Sequence, residues 1–245
     1  DRKNQSADLK NKTREIMMKQ LTKKKVQMSE SAVVNLILAL SGGCMDAYSY
    51  LYRGEVFANA QTGNMLLFGI YLSGGRWNMA LHYFFPILAF TAGIMLADIV
   101  RTKGSTKLHW RQLSVLFEAV ILFGVSFIPL SMNLLANSLT SLACGIQVES
   151  FRKIHGHGIA TTMCIGNLRS ATQNFCDYIS RKDWQNLRNT FLYFGIIGCF
   201  ILGAILGNRA ISYLGKHAIL TSVILLCVSF IIMFIDREKE RLQEE

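Results

Sequence analysis

Proline is nearly missing from this chain, with two in 245 residues, and charged side chains make up only 17% of it. So little charge beside 51% hydrophobic residues and a mean hydropathy of +0.29 excludes an ordinary soluble domain and predicts a membrane protein. Acids are scarcer than bases, 16 against 26, giving a formal charge of +10. The basic residues fall in a tail and in short loops between apolar runs, which suits cytoplasmic loops and anionic headgroups rather than a nucleic-acid face. The six cysteines stand singly, with no C-x-x-C and no histidine at ligand spacing, so neither a disulfide framework nor a zinc site follows. His155-Gly-His157 has no third ligand, and no metal or cofactor is expected. Gly-x-Ser-x-Gly, His-Glu-x-x-His, a P-loop and paired catalytic carboxylates are absent, so no catalytic residue is assigned and the chain is not read as an enzyme.

What is present is a series of long apolar runs. Residues 1–30 carry nine Lys or Arg against four acids and form a basic cytoplasmic tail. Residues 31–52 contain Asp46 as their only charge, and 22 residues at about 1.5 Å each span a hydrocarbon core of about 30 Å. Residues 61–75 are uncharged but short and rich in glycine, which predicts a half-helix with Thr62 or Asn64 as its N-cap. Residues 77–97 form a second span. Residues 112–148 are too many for one crossing and divide at Pro129 into a third and a fourth. A polar helix over 168–179, a fifth span over 189–208 and a sixth over 217–235 follow, and residues 236–245 form a charged C-terminal tail.

The runs repeat. Gly43 matches Gly145 and Ala58 matches Ala160 at a shift of 102. Gly63-Asn64 matches Gly166-Asn167 at 103, Trp77 matches Trp184 at 107, and Phe90-x-x-Gly93 matches Phe200-x-x-Gly203 at 110. A slowly growing offset is what duplication followed by small insertions leaves. Residues 31–132 are then a first membrane repeat and 133–235 a second. Eight full crossings would put Arg101, Lys103, Lys107 and Arg111 outside, against the positive-inside tendency, whereas six crossings with two re-entrant Gly-Asn segments put them inside with both termini. The predicted fold is therefore an all-α integral membrane protein of six transmembrane helices. They form two 3-helix repeats in opposite orientation, each with a broken or re-entrant Gly-Asn segment.

Gly43-x-x-Asp46-Ala47, Phe57 with Thr62-Gly63-Asn64, Gly145-x-Gln147, and Thr161-Thr162 ahead of Gly166-Asn167 together resemble the YoaK family of bacterial multi-pass membrane proteins. The resemblance covers about residues 32–235 and implies a six-spanning inner-membrane protein whose biochemical function is unknown. Where that family has Thr-Gly after the paired threonines, this chain has Cys164-Ile165, so no hydroxyl role is carried to position 165.

Inverted halves broken at matching points point two half-helix N-termini at each other near the bilayer midplane, a setting for anions or carbonyl-bearing solutes. Asn59, Gln61, Thr62, Asn64, Thr161, Thr162 and Asn167 offer neutral donors and acceptors for a small polar or anionic solute, and Arg169 adds positive charge. The bland reading is that these groups only cap helices. Asp46 and Glu118 are the carboxyls deepest in apolar runs, each of them protonated, paired or wet, and either is a candidate for proton coupling or for a structural hydrogen bond. The expected activity is transport or channel-like passage, with a membrane scaffold or regulator as the alternative. Expected partners are the lipid bilayer and a small solute, and six spans enclose little enough to allow a homodimer.

Overall fold

The computed structural model describes residues 32–103, 110–154, 157–158 and 161–242. The basic tail and His155 lie outside them. Apart from a two-residue strand pair, Lys153–Ile154 with His157–Gly158, the described residues are helical or in short connections. The helices are α1 (Ala32–Tyr52), α2 (Gln61–Ser73), α3 (Trp77–Lys103), α4 (Trp110–Val125), α5 (Asn133–Ser150), α6 (Cys164–Arg181), α7 (Trp184–Leu214) and α8 (Leu220–Leu242). A 3-10 turn at Leu130–Met132, right after Pro129, separates α4 from α5, and a second at Gly215–Ile219 separates α7 from α8. Three stretches are long and apolar enough to cross a membrane: Ala32–Tyr52, Trp77–Thr102 and Trp184–Ile235, the last taking in α7 and most of α8.

Both Gly-Asn pairs lie inside helices rather than at the breaks. Gly63-Asn64 is in the first turn of α2 and Gly166-Asn167 in the first turn of α6. The interruptions sit just upstream, between Tyr52 and Gln61 and between the strand pair and Cys164. Neither Thr62 nor Asn64 is the N-cap of α2. Ala60 holds that place without a side-chain cap, because the Asn64 amide faces the preceding linker instead.

Glycine sets the helix pairing. A Cβ on Gly43 of α1 would lie 2.0 Å from the Phe200 carbonyl oxygen of α7, and one on Gly203 would lie 2.0 Å from the Leu40 carbonyl oxygen. Between α3 and α5 the contacts match: Gly93 faces the Leu142 oxygen and Gly145 the Phe90 oxygen, each at 2.2 Å from the missing Cβ. Helices this close need a bare α-carbon, since in lipid it is packing rather than water exclusion that holds helices together. Along α1 and α7, Leu36 meets Gly195, Gly43 meets Phe200 and Ala47 meets Gly207, so the two run parallel. Helices α3 and α5 also run parallel, from Gly93 beside Leu142 to an Arg101–Glu149 ion pair at 3.6 Å.

The other central pairings are antiparallel. Gln147 donates to the Leu38 carbonyl, Cys144 meets Met45, and Asn137 donates to the Arg53 carbonyl, so α5 descends where α1 rises. Phe127 packs on His217 at one end of α4 and α8, while Val115 and Phe230 line one cleft at the other. The interior is unusually polar, with Asn35, Ser41, Asp46, Arg53, Glu118 and Gln147 all buried, whereas Phe85, Met95, Phe191 and Ile205 face outward. Polar inside and apolar outside is the distribution a lipid solvent favours.

Candidate functional site

After α1 ends at Tyr52 the chain turns back along it. The Asn59 amide N–H donates to Oδ1 of Asp46 at 2.8 Å, and the Asn59 side-chain Nδ2 donates to the Gly42 carbonyl at 3.1 Å. Gly42 lies ten residues before Tyr52, so the linker has returned about 15 Å along the helix axis. Asp46 also accepts from the backbone at Ala58 and Ala60, which places a carboxylate at the amide-rich start of α2. Acids are favoured at that end of a helix. Asp46 thus holds the linker that leads into α2, whose own N-cap, Ala60, has no side-chain bond.

Asn64 sits one helical turn in, and its polar atoms all have partners. Its Nδ2 donates to the Phe57 carbonyl at 2.7 Å and to Oε1 of Gln61 at 2.9 Å, while its Oδ1 accepts from the Phe57 N–H at 3.0 Å. The amide therefore clamps both backbone groups of Phe57. The Phe57 ring covers Gly63, where a Cβ would approach it to 2.7 Å. Gln61 donates to the Ala58 carbonyl and, at 3.4 Å, to the Ser141 hydroxyl of α5.

The second linker reaches the same place from the other half. Thr161 is wholly buried and accepts from Nε2 of Gln147 at 3.1 Å, and the same nitrogen donates to the Leu38 carbonyl of α1. The Thr162 methyl crowds Gly42, with 2.6 Å from a hypothetical Cβ there. Asn59, Thr162 and Gln147 are therefore all anchored on one turn of α1, Leu38–Gly42. Asn167 is buried in the first turn of α6. Glu118, on α4, is wholly buried with neither oxygen hydrogen-bonded. The Cys144 thiol of α5 lies within electrostatic range of both Asp46 and Glu118.

The structure thus gathers Asn59, Gln61, Thr161, Thr162 and Asp46 around the crossing of α1 with α5. It leaves Thr62 and Arg169 on exposed faces of α2 and α6. An exposed Arg169 puts no positive charge into the centre, because the face of α6 packed on α7 is that of Ala171 and Asn174. Sequence reasoning did not select Gln147, Ser141 or Cys144. The available signal for Gln147 was its position two residues after a glycine that admits another helix.

Arg53, just past the end of α1, is completely buried and makes five hydrogen bonds: to the Tyr48 hydroxyl, the carbonyls of Val125, Ile128 and Pro129, and Asn133. The guanidinium satisfies carbonyls left open at the α4 C-terminus, and it stacks beside Tyr48 and Tyr52. Tyr48 in turn donates to the Lys216 carbonyl at 2.9 Å, tying the α4–α5 and α7–α8 turns to the end of α1. Among the described residues all six cysteines are unpaired, and no group of three His, Cys, Asp or Glu is placed to hold a metal.

Long apolar helices, glycine-mediated contacts and a polar interior define a helical transmembrane protein. The chain belongs to the family described as "Protein of unknown function (DUF1275)", whose model matches residues 34–232. It is similar to the UPF0700 transmembrane protein YoaK of Bacillus subtilis (strain 168), 26% identical over 182 residues that make up 69% of this chain and 79% of that protein. No solved structure matches it.

Proposed function

We propose that this is a six-spanning transporter or channel-like protein of the bacterial inner membrane. In this reading it is built from two inverted repeats, 31–132 and 133–235, whose re-entrant segments meet to form a pathway for a small polar solute. The observation that carries the reading is the convergence of both linkers on one turn of α1: Asn59 on Gly42 from the first half, and Thr162 on Gly42 from the second. Helix direction supports the inverted arrangement. Eight full crossings would make α1 and α5 parallel, and likewise α4 and α8, whereas six crossings with two returning segments make both pairs antiparallel, as their contacts are. The matching glycine contacts support a repeat, since Gly43 with Phe200 and Gly145 with Phe90 are the same contact at the 102 and 110 offsets. Both termini then lie on the cytoplasmic side, together with the basic loop between α3 and α4.

Within this reading Asn59, Gln61, Thr161 and Thr162 contact the solute. Asp46 holds the first half-helix in place, and Glu118 carries the proton in coupling. The half-helix at α2 is already met by a carboxylate, which moves the preference from an anionic solute toward a neutral or donor-bearing one. The exposed polar face of α6, with Arg169 and Gln173, faces a second copy of the chain, because those groups at membrane depth need cover. The scaffold reading is favoured at one position, Asn64, whose polar atoms all bond Phe57 and Gln61.

Solute flux into proteoliposomes tests the proposal. The Asn59→Ala, Thr162→Val pair is expected to lower flux at least tenfold while the protein stays folded. Flux unchanged in that pair would remove the pathway from the α1–α5 crossing.

A further inference from the structure

We infer that the crossing of α1 with α5 is a binding site for a dehydrated alkali-metal cation. Its ligands are the side-chain oxygens of Asn59, Gln147 and Thr162, and the carboxyls of Asp46 and Glu118 supply negative charge. The inference rests on the same meeting place as the transport reading and gives it an ion.

Three observations carry it. First, Oδ1 of Asn59, Oε1 of Gln147 and Oγ1 of Thr162 are buried and have no hydrogen-bond partner, on residues only 3%, 0% and 4% exposed. Buried oxygens without partners are unfavourable, and three anchored on one helical turn imply something that binds them. Second, the amides cannot be turned round to satisfy themselves. Asn59 Nδ2 donates to the Gly42 carbonyl and Gln147 Nε2 to the Leu38 carbonyl and the Thr161 hydroxyl. A flip would set oxygen against carbonyl oxygen, so the free amide oxygens remain acceptors that need a donor or a cation. Third, neither carboxyl has an ion-pair partner among the described residues. Among the described residues the ion pairs involve Asp98, Arg101, Glu149 and Arg152, none of them at this crossing. Both oxygens of Glu118 are also unpartnered. The Cys144 thiol lies within electrostatic range of both Asp46 and Glu118, so the two carboxyls share one interior.

The donor set selects the kind of cation. All the ligand atoms are hard oxygens, which disfavours soft and transition metals. Divalent ions ask for more carboxylates or retained water, and no three acidic or metal-ligating side chains come together among the described residues. A monovalent ion stripped of water, held by neutral oxygens with carboxyl charge beside it, fits what is there.

The test uses the full chain purified in detergent. Its melting is followed by tryptophan fluorescence in sodium, potassium and choline chloride at equal ionic strength, and 22Na+ binding is measured by scintillation proximity. The expected result is a saturable rise in melting temperature with sodium or potassium over choline, together with measurable 22Na+ binding. Thr162→Val removes an oxygen that bonds nothing in the protein, so this variant is expected to melt in choline at or above the wild-type temperature. Its cation affinity is expected to fall at least tenfold, and that of Glu118→Gln likewise. Equal melting in all three salts with no 22Na+ bound, as when a buried water alone satisfies these oxygens, would overturn the site. So would an undiminished cation response in both variants. Binding retained without flux of any solute would remove the transport reading and leave the site, whereas flux without binding would remove the site alone.

Discussion

The two halves of the molecule agree in their glycines and differ in their acids. Gly43 and Gly145 admit a neighbouring backbone in the same way, and so do Gly203 and Gly93. Yet Asp46, which draws in the first linker, has Val148 as its counterpart at the 102 offset, and the second linker is reached instead by Gln147 through Thr161. Packing between helices in lipid tolerates little change, because one added methyl meets backbone. Polar ties are freer to vary, provided each buried group finds some partner. The shared contacts therefore mark the scaffold, and the asymmetry lies in how each linker is held.

The strongest way to break this comparison is to fill the shared contacts. Gly43→Leu and Gly145→Leu each drive a side chain into a carbonyl and are expected to abolish folding, at a cost above about 4 kcal/mol. Size-exclusion profiles in detergent check this, and one variant folding normally while the other fails would end the equivalence of the halves. Next comes Arg53→Met, which leaves the carbonyls of Val125, Ile128 and Pro129 without their donor. A loss of about 3 kcal/mol is expected, read as a lowered denaturation midpoint. Asp46→Asn sharpens the asymmetry. Exchanging a charged acceptor for a neutral one at the start of α2 is expected to destabilise by about 1–2 kcal/mol, whereas Val148→Ala, with no linker to hold, loses only a little packing. Thermal melts of the two variants side by side decide it. The smallest effect belongs to Arg169→Gln, which lies on an exposed face and is expected to change the stability of the single chain by no more than about 0.5 kcal/mol.

Much of the frame was legible because it depends on composition along one dimension. The apolar runs, the division at Pro129 and the short helix after the first span all follow from where charge, proline and glycine fall. Hydrogen-bond partners distant in sequence were not legible. Thr62 and Asn64 look alike as caps on paper, but α2 has no side-chain cap, and the linker that enters it is held by Asp46, thirteen residues before Asn59 and on another helix. Arg53 reads as solvent-facing because nothing local says that the α4 C-terminus 72 residues later will need a donor. The Gly-Asn pairs marked the right regions for a different physical reason. In the first half, Gly63 makes room for a ring that covers the linker, and Asn64 clamps that linker, so the interruption falls beside them rather than at them.

Sidedness of the turns tests the inverted arrangement most directly. In a background with the six native cysteines replaced, Gly74→Cys between α2 and α3, Ser131→Cys between α4 and α5, and Ser180→Cys near the end of α6 are each exposed to a membrane-impermeant maleimide in whole cells. The inverted arrangement predicts that positions 74 and 131 react from outside, while position 180 reacts only after permeabilisation. Positions 74 and 131 labelled only in permeabilised cells would contradict it, since both turns would then lie inside, as eight full crossings require.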